Sequence, residues 1–123
     1  MDKVRVATVW LSGCAGCHMS ILDVDEALID LVDRIEFANS PLTDLKTFPE
    51  GGVDVTLIEG AVANEEHLEV VEAARERSRI VIAHGDCAVT GNVPALRNGI
   101  PPDDLIAEIY GPGKTTNGRL PYE

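Results

Sequence analysis

The 123-residue chain carries 21 Asp and Glu against 10 Lys and Arg, a formal net charge of -11, and no basic block able to neutralise phosphates. That balance argues against a nucleic-acid partner. Its 45% apolar and 25% charged residues are those of an ordinary soluble globular protein, and no apolar run approaches the roughly 20 residues of a membrane span.

The length suits one domain over residues 1–123, at the modest end for a three-layer α/β fold. Val4 to Leu11 is a near-continuous apolar run rich in β-branched residues, the pattern of a strand buried on both faces. The turn Ser12 to Gly16 leads into a predicted helix with apolar residues at Ile21, Val24, Leu28, Leu31 and Ile35, and acidic residues on its other face. A short strand is expected over Ile35 to Asn39, stopped by Pro41, and a connection follows to Gly52. Val53 to Ile58 is the next buried strand, ending at Glu59-Gly60. Asn64 should cap a helix that has Glu65 and Glu66 in its first turn, Arg75 and Arg77 in its last, and an apolar stripe of Leu68, Val71 and Ala74. Arg79 to His84 reads as another buried strand running into Gly85-Asp86-Cys87. Beyond it the pattern weakens: Ala88 to Arg97 has no clear periodicity, a short helix is expected from Asp103 to Ile109, and the tail is loop-like.

Strands alternating with helices predict a parallel sheet with right-handed crossovers, in the order 2-1-3-4. In such a sheet ligands gather outside the carboxyl ends of the strands. Cys14 and Cys17 follow the first strand and Cys87 follows the last, so all three belong to one edge. Gly13 and Gly16 are expected to let the backbone turn tightly there. An odd number of cysteines with a tight C-x-x-C is unlike a secreted disulfide framework and fits a reduced, cytoplasmic compartment, with thiolates held for metal or redox work. Leu11-Ser12-Gly13-Cys14 has the look of a lipoprotein cleavage box, but the apolar stretch before it falls short of an h-region of about 7–15 residues.

Three chemistries compete. An iron–sulfur cluster uses all three thiolates. A zinc site needs a fourth ligand, for which His18 and His84 are candidates, although His18 directly follows Cys17 and the usual zinc spacings are absent. A thiol–disulfide redox protein works through Cys14 and Cys17 alone and leaves Cys87 without a role. Glu59 stands on the same edge, where a carboxylate relays protons, bonds a backbone amide or ends the strand in water; the solvated and amide-bonded readings are favoured over the relay. His67 reads as a surface helix residue and His84 as a packed, hydrogen-bonded side chain.

Three blocks carry a family resemblance: Trp10-Leu11-Ser12-Gly13-Cys14-Ala15-Gly16-Cys17-His18-Met19-Ser20, then Val55 to Gly60, then Gly85-Asp86-Cys87-Ala88-Val89-Thr90-Gly91-Asn92-Val93-Pro94. Together they resemble the small subunit of [NiFe] hydrogenases and the related 20-kDa-type quinone oxidoreductase subunit. The match is closest to the small hydrogenase subunit of soluble NAD-reducing enzymes. The resemblance implies a flavodoxin-like iron–sulfur domain with Cys14, Cys17 and Cys87 as ligands of a [4Fe-4S] cluster. It implies a large subunit carrying the nickel–iron site, diaphorase-type flavin and iron–sulfur partners, and a place for the segment Ala88 to Arg97 beside the large subunit. FMN is associated with some members of the subgroup, and no residue here establishes a site for it. The family's fourth ligand, a cysteine in a Pro-Gly-Cys-Pro type motif further along, has no counterpart in these residues. Either the chain is a fragment truncated at its C-terminal end, or a non-cysteine group or water takes that corner; a sequence that breaks off in a loop favours the fragment.

Overall fold

Four parallel strands form one sheet in the order β2-β1-β3-β4 in a computed structural model that describes residues 2–120. The strands are β1 (Val4–Trp10), β2 (Ile35–Phe37), β3 (Val53–Glu59) and β4 (Ser78–Ala83). The helices are α1 (Gly16–Leu22), α2 (Ala27–Val32), α3 (Glu65–Arg77), α4 (Asp86–Thr90) and α5 (Pro102–Tyr110), with a 3-10 turn at Val93–Arg97. Sheet order and strand positions follow the sequence expectation. Residues 111–120 hold no further helix or strand, and 121–123 lie outside the described residues.

Because side chains alternate across a strand, the register divides the sheet into two faces. Val9 pairs with Ile58 and Thr56 with Val81, and these residues share the face that α3 covers. There Val9, Leu11, Ile58 and Ala74 form the buried core, with Phe48, Val70, Val71 and Val81 packed against it. Leu68, expected in the apolar stripe, is exposed, and Val70 takes its place. Asn64 caps α3 as its sequence predicts, its Oδ1 accepting the His67 N–H at 2.8 Å, a contact of about 1 kcal/mol. His67 is not a free surface residue: its Nδ1 accepts the Ala63 N–H at 3.1 Å.

Val6, Ile35, Phe37 and Leu57 lie on the other face and meet Ile21, Val24 and Leu31 in a depression of about 420 Å³ under α1 and α2. The single helix expected between β1 and β2 is two helices. Asp25 adopts a left-handed φ of 51° between them, a conformation that Asp tolerates better than most residues. The apolar period runs across the break, which is why the sequence conceals it. The first two helices cover the β1 and β2 half of this face and leave Ile80 and Ile82 of β4 exposed. The strand expected to be buried on both faces is therefore an edge strand of the described sheet, covered on one face by α3.

Two hydroxyl pairs lie inside the sheet layers. Thr8 Oγ1 meets Ser40 Oγ at 2.6 Å, and Thr56 Oγ1 meets Ser78 Oγ at 2.6 Å. Ser40 Oγ also accepts the Leu42 N–H and Ser78 Oγ also donates to Ala74 O, so it is loss of a serine that strips the threonine hydroxyl of its partner, at about 1–3 kcal/mol.

Asp54 ties β3 to both neighbours: Oδ2 accepts the Arg5 N–H at 2.9 Å and Oδ1 lies 3.5 Å from Arg79 Nη1. The Arg5 amide first, and then the Arg79 guanidinium, hold its carboxyl below the ordinary value. A depressed folded pKa contributes stability that is present above the unfolded value and lost as pH falls through the folded one. Thermal melts of wild type and Asp54→Asn should therefore differ at neutral pH and converge in strong acid. A gap that stays constant with pH would contradict this reading of Asp54.

Candidate metal centre

The carboxyl edge of the sheet is assembled from three loops. Leu11 N–H extends the β1–β3 ladder to Glu59 O at 2.8 Å, and Ser12 and Ala61 exchange two backbone bonds at 3.1 and 2.8 Å. This isolated bridge locks the first cysteine loop to the loop after β3. Gly60 makes the approach feasible: its φ is 92°, and a Cβ there would lie 2.8 Å from Leu11 and Ser12 backbone atoms. On the other side, the His84 N–H continues the β3–β4 ladder to Ile58 O at 2.8 Å.

Cys14 lies in the loop after β1 and is exposed, Cys17 is in the first turn of α1, and Cys87 is in the first turn of α4. All three are free thiols. They are close enough to act on one another: burial, then the charge of Glu59, then those of Cys14 and Cys87, push the Cys17 thiol above its ordinary range. A set of thiolates with a buried carboxylate repels itself, and a cationic centre reverses that balance. Among the described residues, no three His, Cys, Asp or Glu side chains converge tightly enough for a single metal ion.

Glycines clear the space around the sulfurs. A Cβ on Gly85 would stand 2.1 Å from Cys17 Sγ, one on Gly16 3.2 Å from Cys14 Sγ, and one on Gly13 4.0 Å from Cys87 Sγ. Neither Gly13 nor Gly16 has the positive φ that their place in the turn suggests; Ala15 carries it instead, at 67°. Gly16 contributes room and one amide contact, its N–H to Cys14 Sγ at 3.4 Å, whereas a Cβ on Gly13 would meet only ordinary van der Waals contacts. Hydrogen bonds of that kind tune cluster potentials. Three soft sulfurs, a cradle kept free of Cβ atoms and an amide donor to sulfur fit an iron–sulfur cluster.

Glu59 does not end its strand in water. It is 2% exposed, and its Oε1 accepts the His18 N–H at 2.7 Å and the His18 Nδ1–H at 3.0 Å. The amide-bonded alternative is the one observed. His18 is itself 4% exposed, and neither its Nε2 nor Glu59 Oε2 has a partner among the described residues. The sequence marks His18 only as a candidate ligand, and nothing local identifies it as the partner of a carboxylate 41 residues away. His84 is hydrogen-bonded as expected, its Nε2 lying 3.0 Å from Cys17 O.

Beside the cysteines lies an open depression of about 470 Å³, lined by Ser12, Gly13, Cys14, Cys87, Val93 and Pro94 among others. The segment after Cys87 is not the irregular loop its sequence suggests. It folds into α4 and the 3-10 turn, separated by Gly91 at φ 93°, with Pro94 in the first turn of the latter. Val89, Val93 and Leu96 project from it largely exposed, Leu96 at 78%.

Residues 14–115 match the protein family described as NADH ubiquinone oxidoreductase, 20 kDa subunit. A subunit of the F420-non-reducing hydrogenase of Methanothermobacter thermautotrophicus is 41% identical over 126 residues, which cover 99% of this chain and 41% of that protein. The delta subunit of the NAD-reducing hydrogenase HoxS of Cupriavidus necator is 44% identical over 108 residues, 88% of this chain and 51% of that protein. The chain thus spans about half the length, or less, of these curated relatives. A chain in the crystal structure of an NAD+-reducing [NiFe]-hydrogenase in the H2-reduced state superposes with a TM-score of 0.88 at 41% identity, covering 99% of this chain and 68% of that one.

Gly85 is the most constrained position of the edge, with φ 90° and ψ 163°, a region populated almost only by glycine. Gly85→Ala should displace Cys17 and destabilise the fold by about 1–3 kcal/mol in denaturant unfolding. Unchanged stability would show that the loop is not held as described.

Proposed function

Since the chain belongs to the NADH ubiquinone oxidoreductase 20 kDa subunit family, we propose that it is the iron–sulfur electron-transfer subunit of a [NiFe] hydrogenase. In this reading Cys14, Cys17 and Cys87 hold three corners of a [4Fe-4S] cluster. The observation that carries it is the gathering of three thiols, from the loops after β1 and β4, on one edge of a parallel sheet. When bound, the cluster supplies a one-electron carrier. The residues of this chain present thiolates, donate the Gly16 amide to a sulfur, and keep bulk away through Gly16 and Gly85.

Hydrogen chemistry belongs to a separate large subunit that bears the nickel–iron site. Electrons pass between that site and diaphorase-type flavin and iron–sulfur subunits that serve NAD. The exposed apolar side chains of Val89, Val93 and Leu96 beside the cysteines support docking of the large subunit on this edge. No helix among the described residues is long and apolar enough to cross a membrane. The NAD-reducing type of relative, and three cysteines spaced for a cluster rather than a disulfide framework, support a cytoplasmic location. Among the described residues none establishes an FMN site, and the proposal does not depend on one.

The thiol–disulfide alternative makes the opposite demand on Cys87. Cys87→Ala should abolish the cluster's absorption and EPR signals and remove most of the bound iron, whereas a dithiol protein would be indifferent to it. In size-exclusion runs the chain should co-elute with a co-expressed large subunit and associate with itself when alone. Full activity and unchanged iron in Cys87→Ala would exclude the cluster, and a stable monomer that ignores the large subunit would exclude the docking.

A further inference from the structure

The peptide unit joining Cys17 to His18 is held at both of its polar ends. Its N–H donates to Glu59 Oε1 at 2.7 Å, and its carbonyl, Cys17 O, accepts from His84 Nε2 at 3.0 Å. Ser20 Oγ also donates to that carbonyl at 2.6 Å, but from within the same helix. Glu59 is the last residue of β3, and His84 directly follows β4, the strand paired with it. Both anchors therefore belong to the rigid sheet, and both reach across to the first turn of α1.

A peptide unit is planar, so fixing its N–H and its C=O fixes the whole plane. Cys17 lies in α1, where ψ is held near the helical value, so the orientation of that plane then sets the direction of its Cα–Cβ bond. We propose that Glu59 and His84 are positioning residues that clamp the Cys17–His18 peptide and so aim the Cys17 sulfur at the cluster.

This rests on the proposed cluster function, but the clamp is defined by the protein's own bonds. A carboxylate buried to 2% exposure needs strong donors, and both donors to Oε1 come from His18. Gly85, next to His84, completes the seat by leaving room for Cys17 Sγ. Among the three cysteines, Cys17 is the one whose own peptide is bonded to two strand ends; Cys14 has its amide contact within its own turn.

The test uses four variants of the full chain, isolated anaerobically with its partners. Glu59→Gln keeps an acceptor for the amide and His84→Gln keeps a donor for the carbonyl, whereas Glu59→Ala and His84→Leu remove them. Amide exchange at residues 17–19 should quicken about tenfold or more in Glu59→Ala, and far less in Glu59→Gln. Iron release to a chelator should quicken about 10–100-fold in Glu59→Ala and His84→Leu, with a shifted EPR spectrum, and the two glutamine variants should stay near wild type. Unchanged exchange across β1 and β3 would show that the variants are folded. Wild-type iron retention in Glu59→Ala and His84→Leu would overturn the clamp. Glu59→Gln behaving like Glu59→Ala would also overturn it, because charge rather than hydrogen bonding would then be the cause. Wild type without iron would refute the cluster function instead, and the exchange rates would still decide whether the clamp exists.

Discussion

Parallel pairing is the constraint from which the rest of this structure follows. When every strand runs the same way, every strand ends at the same edge, and whatever follows the strands is gathered there. The register from Val6↔Val55 to Trp10↔Glu59, and from Val53↔Ser78 to Ile58↔Ala83, fixes how far each strand reaches before its loop begins. Glu59 and His84 end paired strands at the same level because of that register, and both reach the Cys17–His18 peptide although they lie far from it in the chain. A slip of one residue would turn Glu59 to the opposite face, away from α1, and the amide of His18 would lose its acceptor.

The edge is built against its own electrostatics. Cys17 lies among a buried carboxylate and two other thiols, and its ionisation is resisted by burial and then by Glu59, Cys14 and Cys87. Such a collection is unfavourable as a set of bare thiolates. It becomes coherent when a cationic cluster is bound and a partner subunit covers the exposed apolar segment beside it. The chain by itself leaves Leu96 and Ile80 in water, and the proposed partner subunit would cover the first of these.

Much of this was legible in the sequence, for identifiable reasons. Strands of a parallel sheet read as apolar runs, so β1, β3 and β4 stand out, and cysteines placed just past their ends declare an edge. Asn64 followed by Glu65 and Glu66 announces α3 in the same way, through local hydrogen bonding and charge. What sequence could not give was set at long range. Glu59 at a strand end looks the same whether it meets water or His18, because the deciding contact spans 41 residues. The break at Asp25 hides beneath an unbroken apolar period, and the half-covered face of β4 depends on where α1 and α2 come to rest. Ala15 in a left-handed conformation, between two glycines that do not adopt one, shows composition pointing to the right turn and the wrong residue.

The central claim is that this edge holds a four-iron cluster, and its composition can be measured directly. Iron and acid-labile sulfide should be determined in anaerobically purified protein isolated with its large subunit, alongside low-temperature EPR of the dithionite-reduced sample. The account expects iron and sulfide in equal amounts, about four of each per cluster held by this chain, with an EPR signal that disappears on oxidation. Stoichiometric zinc without sulfide, or thiols that cycle through a disulfide with no iron bound, would contradict it.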